Sequence, residues 1–316
     1  RVYSIDENGN NIRRANINIA PLDLEGFRRL KTFKIGTYQI FQETYHYDTY
    51  KTMHPSGPKA DYSFRLDAPT RAIEAGIDDV GIGALFGLTD YRFETLAMLR
   101  HAEFLDREVG VGPHTISIPR LEPADHAPAA MRPPDAVSDH DFKKLVAALR
   151  LAVPYTGIIL STREKPELRR QVFELGVSQI SAGSRTSPGS YKESKESLDH
   201  HELAQFQLGD HRPADEVIRD CCSLGYLPSF CTACYRLGRT GDRFMELAKS
   251  GAIGKICGPN ALITFKEYLI DYGSEETKRE GEAFIQKELA KQPDATRRKI
   301  EEAMAKLEAG EHDVFM

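Results

Sequence analysis

Residues 74–88 read EAGIDDVGIGALFGL, and the fold follows from how that stretch sits between its neighbours. Asp79–Ala84 (DVGIGA) is a short apolar run set with glycines, the pattern of a buried strand. On either side lie Tyr62–Ala75 and Tyr91–Glu108, where apolar residues recur at i, i+3 and i+4 as on the buried face of a helix. The same beat extends both ways. Upstream strand candidates are Ala15–Ala20 (ANINIA) and Thr37–Phe41 (TYQIF); downstream are His114–Pro119 (HTISIP), Gly157–Leu160 (GIIL) and Val177–Ser181 (VSQIS). Further helices are expected at Leu24–Lys31, Asp139–Leu151 and Glu164–Leu175, the second with Ser138 as its N-cap. Alternation of this kind means α/β structure, with parallel strands joined by right-handed crossovers. Six such units make a partial TIM-type barrel, and about two more are expected ahead of Arg1. An edge strand near Ala15–Ala20 is then left to be covered.

Two connections interrupt the beat. Residues 121–137 (LEPADHAPAAMRPPDAV) are rich in Pro and Ala and read as no regular helix. Residues 184–213 are polar and contain His200, His201 and His211, a loop long enough to be functional or mobile. Beyond it come a helix at Asp215–Leu224, a cysteine segment, and a charged helical tail from Ser274 to Gly310 interrupted at Pro293. These shifts divide the chain into a barrel, residues 1–213, and a helical C-terminal extension, residues 214–316.

A chain of 316 residues can bury a large core, and 41% hydrophobic with 28% charged residues is ordinary for a globular protein. The 42 basic and 47 acidic residues give −5, too mild to call for a nucleic-acid or membrane partner. No apolar run approaches the ~20 residues that cross a bilayer. All five cysteines (Cys221, Cys222, Cys231, Cys234 and Cys257) follow residue 220. Such clustering argues for a metal site in a reducing compartment, hence the cytoplasm, and against a disulfide framework. Cys231-x2-Cys234-x22-Cys257 is the strongest local signal. Three thiolates complete a [4Fe–4S] cluster with one iron open, whereas structural zinc asks for a fourth ligand, for which Cys221 and Cys222 stay candidates.

Longer stretches carry a family resemblance: FQETYH (Phe41–His46), HPSGPK (His54–Lys59), Glu74–Leu88, GVGPHTIS (Gly110–Ser117), LGVSQISAGSRT (Leu175–Thr186) and PSFCTACYRLGRTGDRFMELAKSGAIGKICGPNALIT (Pro228–Thr264). Over essentially the whole chain they resemble the HydG family, radical-SAM tyrosine lyases that mature [FeFe]-hydrogenase. The resemblance implies a radical-SAM barrel with a C-terminal extension. It implies cleavage of L-tyrosine at Cα–Cβ to p-cresol and dehydroglycine, then formation of CO and cyanide on iron for the hydrogenase H-cluster. The cofactors it implies are S-adenosyl-L-methionine (SAM), a radical-SAM [4Fe–4S] cluster, and an auxiliary [4Fe–4S] cluster with a labile iron. The partners it implies are L-tyrosine, cysteine as a small molecule, and hydrogenase maturation proteins. One departure is plain. The family's CxxxCxxC has no match, and residues 1–220 hold no cysteine. The radical-SAM cluster is therefore expected on a segment outside this chain, and the chain alone is expected to be inactive.

Residue by residue, Glu43 and Arg65 fall where barrels place their chemistry, after a strand and at the start of the next helix. A carboxylate suits the SAM ribose diol and a guanidinium suits its carboxylate. In related radical-SAM enzymes residues in matching contexts bind SAM; a structural Glu43–Arg65 salt bridge is the other reading. Gly81 and Gly83 allow close approach of an adenine or serve a tight turn. Arg185 is assigned to the tyrosine carboxylate, with Ser184 or Ser181 adding a hydrogen bond; pinning of the following loop is its alternative. The family's labile iron is held in part by a histidine, for which His114 is the candidate and His101 the competitor. Two other functions stay open. One is the tyrosine lyase of thiazole biosynthesis (2-iminoacetate synthase), which has no need for the second cluster; the other is a metal-stabilised binding module.

Overall fold

Alternation in the sequence becomes alternation in space. The structure is a computed structural model that describes residues 2–7, 10–125, 127–187 and 204–316. Two units form: residues 16–211, and residues 1–15 together with 212–316. In chain order the strands are β1 (Asp6–Glu7) and β2 (Asn10–Asn11), an antiparallel ribbon, then β3 (Ile17–Asn18), β4 (Thr37–Gln39), β5 (Asp79–Gly83), β6 (Thr115–Ser117), β7 (Gly157–Leu160) and β8 (Gln179–Ile180).

Strands β3 to β8 form one all-parallel sheet in sequence order, each pairing with the next. This is a partial TIM-type barrel, and each strand lies inside a span read from the sequence. Among the described residues β3 and β8 each pair with a single strand, so the sheet is open. Its faces follow the two-residue period of a strand. Tyr38, Ile40, Val80, Ile82, Ile116, Ile158 and Leu160 are buried in one apolar core with Phe27, Met98, Phe142, Leu145 and Leu168 of the helices. On the opposite face Gln39, Gly81 and Thr115 stand in register. Gln39 Nε2 donates to Thr115 Oγ1 at 3.0 Å across Gly81, where a Cβ would lie 2.5 Å from that oxygen. Glycine is needed there because a polar bridge passes over it.

Helices of this unit start at or near the expected residues, the one expected from Glu164 beginning at Pro166. Asp23 caps Leu24–Lys31 by accepting from Gly26 N–H at 2.7 Å, and Ser138 caps Asp139–Ala152 through Asp141 N–H at 3.1 Å. The single helix expected over Tyr62–Ala75 is two, Tyr62–Leu66 and Ala68–Glu74. Pro69 lacks the N–H that a continuous helix would donate to Arg65, so the chain restarts at Asp67. Among the described residues of 121–137 the one helix is the short Pro128–Met131. Within the long loop, 188–203 lie outside the described residues, and His200 and His201 with them. The returning chain is fastened by a buried ion pair, Arg169 Nη1 to Asp210 Oδ2 at 2.5 Å.

The other unit is helical: Ala214–Ser223, Ala233–Arg236, Gly241–Lys249, Gly254–Asp271, Glu275–Leu289 and Asp294–Glu308. Its core gathers Ile218, Cys222, Leu262, Phe265, Leu269, Phe284, Ile285, Ile300 and Leu307. Residues 1–15, which the sequence pattern assigned to the barrel, group with this unit instead. The tie is electrostatic: Arg13 donates to both oxygens of the buried Glu267 carboxylate, at 3.0 and 2.6 Å. Among the described residues no helix is long and apolar enough to cross a membrane.

Candidate functional site

The C-terminal ends of β4 and β5 carry the first group of candidates. Glu43 adopts φ +71°, rare for a residue with a side chain and a frequent companion of function. Its neighbours hold it there. Gln42 N–H donates to Gly83 C=O at 2.9 Å, and Leu85 N–H donates to Glu43 C=O at 2.8 Å. Glu43 Oε1 accepts from Arg65 Nη2 at 3.0 Å and from Lys59 Nζ at 2.7 Å. Arg65 Nε donates to Phe41 C=O at 2.7 Å. The two residues are thus brought together, each already engaged by the protein. Beneath them is a carboxylate that the sequence did not single out. Glu94, fully buried, accepts from Thr44 Oγ1 and from Tyr45 N–H. Burial pushes its pKa up, and those donors offset only part of the rise. Gly83, like Gly81, is crowded: a Cβ would meet the Ser117 carbonyl at 2.7 Å and Phe41 at 2.9 Å.

Past β7 and β8 opens a polar cavity of about 470 Å³, and Ser181, Ser184 and Arg185 all line it. Arg163 lines it too, a second guanidinium that sequence reading missed. It lies over the Phe206 ring at 3.5 Å, and Arg163 Nη1 donates to Arg120 C=O at 3.4 Å. Burial lowers its pKa, with Glu122, Glu43 and Glu164 working against the shift. Arg185 Nη1 donates to Ser184 C=O at 3.2 Å. Two guanidiniums and several serine hydroxyls in one cavity can take a carboxylate of an amino acid. A signal for Arg163 was available. Ser161-Thr162-Arg163 follows strand GIIL, much as Glu43-Thr44 follows TYQIF after one residue, Gln42.

His114 directly precedes β6, its N–H donating to Val80 C=O at 2.8 Å and its Nδ1 3.5 Å from the buried Asp79 carboxylate. His101 is a different kind of histidine. Its Nδ1 meets Tyr45 Oη at 2.9 Å, and burial lowers its pKa to about 4.

In the helical unit, Cys231 precedes the one-turn helix that carries Cys234. Cys257 sits in the first turn of Gly254–Asp271, where the helix dipole favours negative charge. Ala233 N–H points at Cys231 Sγ, 3.4 Å away. Packing pushes the Cys231 and Cys257 thiols up. Cys234 raises both further, Cys231 raises Cys257, and Arg239 draws both down. The three sulfurs therefore share one electrostatic neighbourhood. Three thiolates are the donor set of a [4Fe–4S] cluster with one iron open, and these residues fit one. Among the described residues, the set of three possible ligands lying mutually within 4.8 Å is Glu267, Asp271 and His312. Cys222 belongs elsewhere: it packs with Ile218 and Leu262, and burial pushes its thiol up to about 12.

Residues 117–227 match the family of the Biotin and Thiamin Synthesis associated domain. The chain is 33% identical over 213 residues to the 2-iminoacetate synthase of Salmonella typhimurium (strain LT2), covering 67% of this chain and 54% of that protein. It thus spans little more than half the length of the curated relatives it matches. A crystal structure of HydG, a maturase of the [FeFe]-hydrogenase, is 53% identical with a TM-score of 0.93, over 100% of this chain and 68% of that one. The HydG maturase of Carboxydothermus hydrogenoformans is 46% identical with a TM-score of 0.75, over 93% and 63%.

Proposed function

Because the chain belongs to the HydG family of [FeFe]-hydrogenase maturases, we propose that it is part of a tyrosine lyase whose products are p-cresol, CO and cyanide. In this reading Arg185 and Arg163 clamp the L-tyrosine carboxylate, and Ser184 and Ser181 add hydrogen bonds that fix its orientation. Glu43 and Arg65 receive the ribose and carboxylate of SAM, the left-handed backbone at Glu43 holding its carboxylate against Arg65 and Lys59 until the cofactor takes over. Residues 1–220 offer no thiolate for a radical-SAM cluster, so that group is proposed on a segment outside this chain. When bound with it, SAM supplies the hydrogen-abstracting chemistry. Cys231, Cys234 and Cys257 would hold the auxiliary [4Fe–4S] cluster, which supplies iron for CO and cyanide. His114 keeps the expectation of an iron ligand on the chemistry of its imidazole. Small-molecule cysteine and hydrogenase maturation proteins complete the proposed partners.

The grouping of Cys231, Cys234 and Cys257 in one electrostatic neighbourhood supports this reading. The test is product analysis of the full-length protein after reconstitution with iron and sulfide, given tyrosine, SAM and a reductant. Chromatography reads p-cresol, and infrared spectroscopy reads iron-bound CO and cyanide. Both sets of products are expected. The likeness to 2-iminoacetate synthases supports a second reading, a lyase of the thiazole type. It predicts p-cresol without CO or cyanide from the unaltered protein. A metal-stabilised binding module would make neither.

A further inference from the structure

Beside the cysteines is an arginine that neither motif reading nor the proposed mechanism uses. The helix Ala233–Arg236 ends at Leu237, and Gly238 follows in the left-handed region at φ +63°. The next N–H, that of Arg239, returns to Cys234 C=O at 2.8 Å. This is a Schellman cap, in which the residue after the left-handed glycine closes back on the third residue from the helix end. It folds Arg239 over the turn that carries Cys234. The side chain is left in an unusual state. Nε and Nη2 are both shielded from solvent, and neither has a hydrogen-bond partner among the described residues. Two buried donors on a permanent cation without acceptors are costly, and proteins tolerate such atoms chiefly where a ligand supplies the acceptor. The acceptors at hand are sulfur. The backbone bond to the Cys234 carbonyl holds Arg239 beside that cysteine, the middle one of the three.

We propose that Arg239 is a positioning residue of the three-cysteine centre, its Nε–H and Nη2–H donating to the anionic sulfur of the cluster. A fixed cation there stabilises the more negative, reduced form and raises the reduction potential, as hydrogen bonds to cluster sulfur do generally. The inference rests on the cluster reading of Cys231, Cys234 and Cys257, and the experiment separates the two.

The 316-residue chain, with one such cysteine set, is reconstituted with iron and sulfide as wild type, Arg239→Gln and Arg239→Lys. Iron per chain, helix content by circular dichroism, and midpoint potential by EPR-monitored titration are measured. Arg239→Gln is expected to load iron and shift to a more negative potential. A tenfold change in the redox equilibrium reads as about 59 mV for one electron. Arg239→Lys should fall between. Reduced loading in Arg239→Gln that Arg239→Lys restores, with helix content unchanged, also supports the role. Loading and potential of Arg239→Gln indistinguishable from wild type would overturn it. So would loss of helix content in both variants, which would make the guanidinium part of the fold. If wild type takes up one zinc per chain and develops no iron–sulfur absorption, the cluster reading falls and the Arg239 proposal with it.

Discussion

The mouth of the barrel and the cysteine segment hold similar chemistry, arginines beside groups that carry negative charge, but satisfy it in opposite ways. Glu43 is bound by Arg65 and Lys59, Glu164 by Arg120, and Asp210 by Arg169, all within the barrel unit. Arg239, in the helical unit, keeps two buried N–H groups without an acceptor, next to thiols whose pKa values are raised by burial. These barrel pairs are complete in the folded protein. The cysteine segment would complete its own when the proposed cluster supplies the acceptor. Ligand chemistry and local order are therefore coupled in one region and separable in the other. Variants in the barrel pairs should register as stability, and variants at the cysteines as loading.

The largest effect is expected at Cys234. Cys234→Ser should abolish iron uptake by this chain while leaving its thermal unfolding near wild type, since the residue is only partly buried and outside the apolar core. In the full-length protein p-cresol should persist while iron-bound CO and cyanide vanish. If cresol disappeared as completely, the division of chemistry would be wrong and the cysteines structural. Next comes the buried pair. Asp210→Ala leaves Arg169 charged and enclosed, at a cost of roughly 3–5 kcal/mol in denaturant unfolding. Iron uptake measured below the unfolding transition should not change. A stability loss under 1 kcal/mol would break the contrast drawn here.

These two predictions also mark what was legible in the sequence. The strands and the helix starts at Asp23 and Ser138 follow from local periodicity and capping, which a single segment carries by itself. The helix Gly254–Asp271 was not read from the sequence, and it holds Pro259 in its interior, where the ring removes the N–H that would donate to the Lys255 carbonyl. The three cysteines announce themselves by spacing. Glu94 and Asp210 do not, because their partners lie far away in sequence: Glu94 meets Thr44, and Asp210 meets Arg169. The joining of residues 1–15 to the helical unit hangs on Arg13 finding Glu267, which no local pattern encodes.

Arg185 tests whether the barrel's self-sufficiency has an exception. It lines the cavity, where Arg185 Nη1 donates to the Ser184 carbonyl, and so stands where a bound carboxylate can meet it. In the full-length protein, Arg185→Ala should weaken tyrosine binding by roughly 2–4 kcal/mol, the cost of leaving a carboxylate unpaired in a dry site. All products should fall together, because both stages depend on the same bound tyrosine. An unchanged KM for tyrosine, with stability lowered instead, would reassign Arg185 to fastening the loop behind it.

The smallest effect concerns His101, where the barrel has met a need by excluding charge rather than pairing it. Burial holds the folded pKa near 4, while the unfolded ring titrates near 6.5. Above pH 6.5 both states are neutral and the full stability is present. As pH falls the unfolded chain takes up a proton that the folded chain refuses, so stability drains until about pH 4. By pH 5 the loss from this group is about 2 kcal/mol. Glu94 runs the other way. Its raised pKa contributes stability that is complete at low pH and lost as pH rises through the folded value, so raw profiles mix the two. His101→Gln separates them, because glutamine can keep the bond to Tyr45 Oη without titrating. Denaturant unfolding of wild type and His101→Gln at pH 8 and pH 5 should show the gap between them change by about 2 kcal/mol in the variant's favour at the lower pH. Parallel profiles would mean that His101 is protonated in the folded barrel. The barrel unit would then hold an unmet charge of its own, and the contrast with Arg239 would no longer divide the two regions.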